Sequence, residues 1–305
     1  MAFLRLLEGI RIPLLDTFFS LITYFGEETL FLVVGLILFW CVNKYLGRYL
    51  IAVGLGGTVL NQWLKIVCRI PRPWVLDESF TIVESARAGA TGYSFPSGHT
   101  QIAVGVYGGI ARWTKKTRLR VLGIVLAVVV PFSRMYLGVH TPLDVGVAAA
   151  TSIILLLILY PPMREGEGCV RGERIVFAIL SVFSVAFVIF MHAAHFPEDI
   201  DQANLEHAFS SGWTLMGAML GMWLSMELDE RYIHFDTKAT LAGQAIKLLG
   251  GLIVVLALRM GLKPLLHAVI PSVLVADGIR YFLMVLVAGS VWPLTFRKLA
   301  VIGKK

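Results

Sequence analysis

Along this chain, long apolar runs alternate with short polar joints. Runs of helical, membrane-spanning character fall at roughly residues 29–46, 49–67, 97–112, 120–137, 144–160, 175–193, 206–225, 241–260 and 277–296. A span needs about 20 mainly apolar residues. The runs at 97–112 and 144–160 reach that length only by taking in flanking polar residues. Ahead of them, Leu4, Leu7, Ile10, Leu14, Phe18 and Leu21 recur at helical spacing, while Asp16 and the Glu27-Glu28 pair break any full span. Residues 1–28 are expected to form an amphipathic helix lying on the membrane surface. The fold class expected is all-α: a polytopic transmembrane helix bundle of about nine spans plus an N-terminal amphipathic helix.

Composition excludes a soluble enzyme. The 305 residues are 57% hydrophobic and only 15% charged, with a mean hydropathy of +0.77. Soluble domains carry about 25% charged residues. The net charge of +7 is explained by clusters in short joints. Arg112, Lys115, Lys116, Arg118 and Arg120 lie between the third and fourth runs, Arg164, Arg171 and Arg174 between the fifth and sixth, and Arg297, Lys298, Lys304 and Lys305 at the end. Such clusters mark the cytoplasmic side. The N-terminus is then outside and the C-terminus inside. Residues 68–96 and 133–143 and the acidic loop His195–Asp201 face away from the cytoplasm. No basic cluster follows a nucleic-acid-binding pattern, so no nucleic acid partner is expected. Cys41, Cys68 and Cys169 are scattered and suggest neither a disulfide framework nor a zinc site. No cleavable signal peptide is expected, because Arg5, Glu8 and Arg11 interrupt the first apolar segment. Gly217 and Gly221 form a GxxxG pair whose expected role is helix packing within the chain.

Ionisable residues at the mouths of spans are costly to keep and mark functional candidates. Three stretches stand out. In Ser133–Asp144, His140 and Asp144 are four apart, and would share one helical face if the following helix started near His140. A carboxylate beside an imidazole fixes its tautomer and raises its basicity, which suits His140 as a nucleophile. Arg134 offers a planar fork for an anion. In the second stretch, Lys65 is followed by Arg72-Pro73-Trp74, and both cations reach the same membrane surface. In the third, Pro96-Ser97-Gly98-His99 opens a span, and a helix N-terminus is a ready phosphate site. His99 there is placed to donate a proton. Taken singly, each stretch also fits an ordinary span end, with Lys65 snorkelling and the histidines incidental. Together they set cations, a helix N-terminus, two histidines and a carboxylate on one side of the membrane.

The three stretches read Lys, six residues, Arg-Pro; then Pro-Ser-Gly-His; then Ser-Arg, five residues, His, three residues, Asp. In this the chain resembles the type 2 phosphatidic acid phosphatase superfamily, which includes the lipid phosphate phosphatases. The resemblance implies that Lys65, Arg72 and Arg134 clamp phosphoryl oxygens, with Ser97 and the N–H groups of Gly98 and His99 completing the cradle. His140 would attack phosphorus to give a phosphohistidine, Asp144 would orient it, and His99 would protonate the leaving alkoxide. No metal or other cofactor is implied. Residues 1–160 would form the phosphatase core and residues 161–305 additional C-terminal transmembrane helices, which would shape a lateral entrance or form a homo-oligomer contact. The nine-span layout is similar to the glucose-6-phosphatase branch, but Asp144 is kept and no sugar pocket is evident.

The expected function is hydrolysis of a phosphomonoester or diphosphate of a lipid at the outer membrane face. Phosphatidate, phosphatidylglycerol phosphate and polyprenyl diphosphates are the candidate substrates. The expected location is the plasma membrane, multi-pass, with an extracytoplasmic site and the bilayer itself as partner. Two rivals stand beside it: a phosphatase of a soluble sugar phosphate, and a non-catalytic lipid-binding or transport protein. His192, His195, His207, His234 and His267 are expected to be structural or surface residues. Arg280 is in helical reach of Asp277.

Overall fold

The computed structural model describes residues 1–303; Lys304 and Lys305, part of the terminal basic cluster, lie outside the described residues. Every regular element among the described residues is helical. In chain order the helices are α1 (Ala2–Gly9), α2 (Pro13–Thr23), α3 (Glu28–Ile37), α4 (Lys44–Cys68), α5 (Pro73–Leu76), α6 (Gly98–Trp113) and α7 (Thr117–Tyr136). They continue as α8 (Pro142–Met163), α9 (Cys169–Ala193), α10 (Gln202–Leu228), α11 (Leu241–Val269), α12 (Val273–Leu286) and α13 (Phe296–Leu299).

Among the described residues, six helical stretches are long and apolar enough to cross a membrane: Lys44–Leu76, Thr117–Tyr136, Pro142–Met163, Cys169–Ala193, Leu241–Val269 and Val273–Leu299. Pro13–Gly26 and Glu28–Val42, bent at 53°, make a seventh if they count as one. The runs at 97–112 and 206–225 are helical but fall outside this set. α6 has only 16 residues, and everything from Thr100 to Tyr107 is buried. A helix enclosed by protein needs no lipid-compatible surface, so its sequence can stay polar. α10 is diluted by Ser, Thr and Gly for most of its length.

The N-terminal segment is two helices rather than one. The break falls at Ile10–Ile12, and Pro13 starts α2 at its first position, where a missing N–H costs nothing. The apolar side of α1 meets protein. Leu4 and Leu7 are buried, and Leu4 packs with Phe80, Ile82, Tyr136, Leu137 and Val139. Arg5 pairs with Asp77 at 2.6 Å, Glu8 accepts from Thr81 N–H at 2.8 Å, and Arg11 donates to Thr81 O at 2.7 Å.

The chain divides into two compact units. One comprises residues 1–33, 56–159 and 196–208, the other residues 34–55, 160–195 and 209–305. In the first, α2 lies on α7 through Phe19 and Tyr136, whose rings are 4.4 Å apart, and Asp16 accepts from the Tyr136 hydroxyl at 2.8 Å. The turn after α2 is held to the middle of α6: the Tyr107 hydroxyl donates to Phe25 O at 2.8 Å.

In the second unit, Arg48 is fully buried and bonds Glu173, Asp229 and Glu230 at 2.7, 2.5 and 2.6 Å. Lys44 adds a bond to Asp229 at 2.8 Å. The GxxxG pair packs within the chain: a Cβ at Gly217 would stand 2.0 Å from Gly278 O, and one at Gly221 2.7 Å from Phe282 O. Backbone cannot yield as a flexible side chain would, so larger residues there must separate α10 from α12. Gly217→Val is expected to cost about 1–3 kcal/mol through overpacking, read as a lower thermal unfolding midpoint in detergent. An unchanged midpoint would show that this contact can relax.

Candidate active site

Two helix ends create the link that carries His140. α7 stops in a Schellman motif, with Val139 N–H donating to Arg134 O and Gly138 N–H to Met135 O, each at 3.1 Å. The reversal needs φ +82° at residue 138, which glycine adopts without strain. A Cβ there would also stand 2.6 Å from Arg11 Nη2. α8 then opens with a capping box. Thr141 Oγ1 accepts from Asp144 N–H at 3.3 Å, and Asp144 Oδ2 accepts from Thr141 N–H at 2.7 Å. Pro142 occupies the first helical position, so the helix starts after His140 rather than at it. The pairing expected from a shared helical face comes instead from the link folding back. His140 Nδ1 lies 3.6 Å from Asp144 Oδ2, with both residues 1% exposed.

Arg72 knits this link to the loop before α6. Its Nε donates to Gly92 O at 3.1 Å and its Nη2 to Thr91 O at 2.6 Å. Its Nη1 donates to Val139 O at 3.1 Å and meets His140 Nε2 at 3.0 Å. Lys65 Nζ donates to Tyr93 O. Arg134 differs from both. Its Nη1 donates to Thr23 Oγ1 at 2.8 Å, yet its Nε and Nη2 are buried and have no partner. Unpaired charged donors in the interior are costly, and an oxyanion placed against this fork would satisfy both.

The N-terminus of α6 completes the arrangement. Ser97 caps it, accepting from Thr100 N–H at 3.3 Å and from Thr100 Oγ1 at 3.0 Å, while Ser97 N–H donates to Asp144 O at 3.1 Å. A Cβ at Gly98 would meet nothing within 4 Å, so the space over the first turn is open. Free N–H groups of a first turn facing open space suit an anion. His99 is half-buried, with Gly89 near its ring, and the positive charges of Arg134, Arg72 and Lys65 act on it. The structure thus gathers Lys65, Arg72, Ser97, Gly98, His99, Arg134, His140 and Asp144 in one place.

Burial first, and then the positive charges of Arg72, Arg134 and Lys65, hold the His140 imidazole well below its ordinary pKa. His140 is therefore neutral at physiological pH. The Arg72 donor at Nε2 places the lone pair there and the ring proton on Nδ1.

Sequence reasoning missed two contributors. Ser94 Oγ donates to Asp144 Oδ2 at 2.6 Å and lies 3.5 Å from His140 Nδ1. Its only signal was a small polar residue beside Pro96. Thr23, which holds Arg134, is 111 positions away in sequence, and nothing local marked it. Beside the site, a cavity of about 600 Å³ is lined by Arg69, Arg72, Trp74 and Tyr93, and by Asp199 and Asp201 of the acidic loop. Among the other histidines, His192 accepts from Trp213 Nε1 at 3.1 Å. His267 and Arg280 both reach Asp277, at 3.2 and 3.1 Å.

The class is therefore a helical membrane protein with a buried, cation-rich cradle around an imidazole. Comparison with known proteins is specific. The model of the PAP2 superfamily matches residues 45–166, and that of the PAP2 superfamily phosphatase, transmembrane extension, matches residues 213–304. An undecaprenyl-diphosphatase of Sulfolobus acidocaldarius is 30% identical, covering 46% of this chain and 67% of that protein. A probable sphingosine-1-phosphate phosphatase of Dictyostelium discoideum is 28% identical over 80% of this chain; the chain spans 60% of that protein's length. Phosphatidylglycerophosphatase B of Bacillus subtilis is 28% identical over 49% of this chain and 76% of that protein. No solved structure matches the chain. The chain belongs to the PAP2 superfamily, as its three motifs indicated.

A neutral His140 has a direct readout. In a protein carrying ¹⁵N-labelled histidine, its ring signals are expected to stay unchanged from pH 8 to pH 6, because a lowered pKa keeps the ring deprotonated throughout. A titration midpoint near the ordinary imidazole value of about 6.5 would contradict the geometry.

Proposed function

We propose that this protein is a membrane phosphatase that removes phosphate from a lipid phosphomonoester or diphosphate through a phosphohistidine. The observation that carries the reading is the unpartnered Arg134 fork beside a neutral His140 whose Nε2 bears the lone pair. Phosphate oxygens fit the space between that fork, Lys65, Arg72, Ser97 and the first-turn N–H groups of Gly98 and His99. Such preorganised donors stabilise the charge that develops at phosphorus. His140 Nε2 attacks phosphorus as the ester bond breaks, and Arg72 Nη1 moves from the ring to a phosphoryl oxygen. Asp144 supports the positive charge appearing on the imidazole. The negative charge of the bound phosphate offsets the cations around His99 and lets it hold the proton that it gives to the leaving oxygen; it then takes one from the water that releases phosphate.

The relatives' names span sphingosine 1-phosphate, undecaprenyl diphosphate and phosphatidylglycerophosphate, all lipid phosphates. The cavity beside Arg72 is the place for the headgroup next to the scissile bond, with the tails in the bilayer. Three cations in the cradle supply the charge that a metal would otherwise bring. Residues 1–160 hold the catalytic motifs, and residues 161–305 add C-terminal transmembrane helices. Counting α6, α10 and the bent α2–α3 pair as crossings would give nine spans, with the site facing outward from the plasma membrane. A soluble sugar phosphate is the second reading, and the same assay separates it.

Purified protein in detergent with EDTA is expected to release phosphate from at least one of phosphatidate, a sphingoid base phosphate and a polyprenyl diphosphate, and to do so faster than from glucose 6-phosphate. His140→Ala should abolish turnover and the acid-labile phosphoenzyme trapped from labelled substrate. His99→Ala should lose about 10²–10⁴-fold in kcat, and less with p-nitrophenyl phosphate, whose leaving group needs no proton. Full activity in His140→Ala would sink the mechanism, and sensitivity to EDTA would require a metal.

Orientation is tested separately. With the native cysteines replaced, Glu198→Cys should react with a membrane-impermeant maleimide on intact cells, whereas Lys115→Cys should react only after permeabilisation. The reverse pattern would invert the topology.

A further inference from the structure

The sequence sets Asp144 directly against His140, but the hydrogen bonds follow another route. Asp144 Oδ2 accepts two short bonds, from Ser94 Oγ at 2.6 Å and Thr141 N–H at 2.7 Å. A carboxylate oxygen has two lone pairs, and both are engaged. His140 Nδ1 stands 3.6 Å from this oxygen, which is already engaged by those two shorter bonds. The other oxygen, Oδ1, is buried and has no partner, so it does not serve the ring either. The ring proton is on Nδ1, because Arg72 occupies Nε2. Ser94 Oγ lies 3.5 Å from that nitrogen, and its own hydrogen is committed to Asp144. Ser94 therefore offers Nδ1–H both its hydroxyl lone pairs and its backbone carbonyl, and of these the hydroxyl is the one bonded to Asp144. Contacts of this length in unliganded sites shorten when the substrate binds.

Ser94 is also held in place. It is fully buried, and its N–H donates to Ile70 O at 2.8 Å. The three preceding carbonyls, of Thr91, Gly92 and Tyr93, are bound by Arg72 and Lys65. The cations of the cradle thus fix the backbone that presents the hydroxyl.

We propose that Ser94 is a positioning residue through which Asp144 acts on His140, in the order Nδ1–H to Oγ, Oγ–H to Oδ2. No proton moves along it. As Nε2 bonds to phosphorus, the ring gains positive charge, Nδ1–H becomes a stronger donor, and a hydroxyl polarised by the carboxylate accepts it. The inference rests on the phosphohistidine reading for its kinetic consequences, but the hydrogen-bond order can be measured without turnover.

The test is a double-mutant cycle of Ser94→Ala and Asp144→Asn, read by ¹⁵N signals of His140 and by kinetics. Ser94→Ala should move the Nδ1 signal and lower the His140 titration midpoint further, because the ring loses its anionic support. Adding Asp144→Asn should then move neither. In kinetics, Ser94→Ala should lower kcat by about ten- to a hundredfold, the worth of a hydrogen bond to a charged group, with KM little changed. The acid limb of the pH profile should shift to lower pH, and Asp144→Asn should add little on that background. Ser94→Cys, which keeps a weak donor, should fall between and guards against misfolding of the alanine variant. A full effect of Asp144→Asn in the Ser94→Ala background, in spectra or rates, would overturn the relay. Unmoved spectra in Ser94→Ala would do the same. A wild-type protein that shows the spectral pattern but cleaves no substrate would leave the relay standing and remove the phosphatase reading instead.

Discussion

The site depends on one electrostatic constraint: three cationic side chains are buried together around the carboxylate of Asp144. Lys65, Arg72 and Arg134 are 7%, 6% and 1% exposed, and Asp144 is the acidic side chain bonded into their midst. Buried charges of one sign are tolerated only with partners or with an anion yet to come. Lys65 and Arg72 use backbone carbonyls of Thr91, Gly92, Tyr93 and Val139 for this purpose. Arg134 is left partly unmatched. The excess of positive charge is of the sign and order that a phosphate dianion would neutralise. It also explains the neutral imidazole, since a further proton on His140 would add to an unbalanced field.

Holding such a cradle open requires rigid supports, and these are backbone devices. The Schellman turn at Gly138 and the capping box at Thr141 confine His140 to a short link between two helix ends. The Ser97 cap fixes the N-terminus of α6 and ties it to the backbone of Asp144. Each device is local, but together they bring two helix starts and one helix end to a common point. The N-terminal helices add the outer support. Thr23 orients Arg134, and a Cβ at Gly26 would stand only 2.9 Å from His99 Cβ. Residues that looked like a surface amphipath thus belong to the packing of the first unit.

The second unit solves a different problem by similar means. Arg48 sits among Glu173, Asp229 and Glu230 with every partner close, so its charge is compensated where Arg134's is not. Arg48 ties α4 to α9 and to the end of α10 through carboxylates, whereas Arg134 is held by the Thr23 hydroxyl. α10 meets α12 through glycines at backbone distance, as expected where lipid offers no hydrophobic drive between helices.

The sequence by itself determined the all-helical membrane class, the family and the eight residues of the cradle. Apolar runs and motif spacing are local properties, and Lys65 to Asp144 carry their chemistry in fixed short patterns. The same locality made the GxxxG contact legible. Tertiary structure alone decided the rest. It split the first 28 residues at Ile10–Ile12 and docked them, because the apolar side of α1 found Phe80 and Tyr136. It enclosed α6 so fully that a 16-residue, polar-tolerant helix suffices. It brought Thr23 to Arg134 across 111 positions and placed Ser94 between Asp144 and His140. Periodicity reports which residues share a face of one helix. Which donor finds which lone pair depends on where several helices end, and that is settled only when the chain has packed.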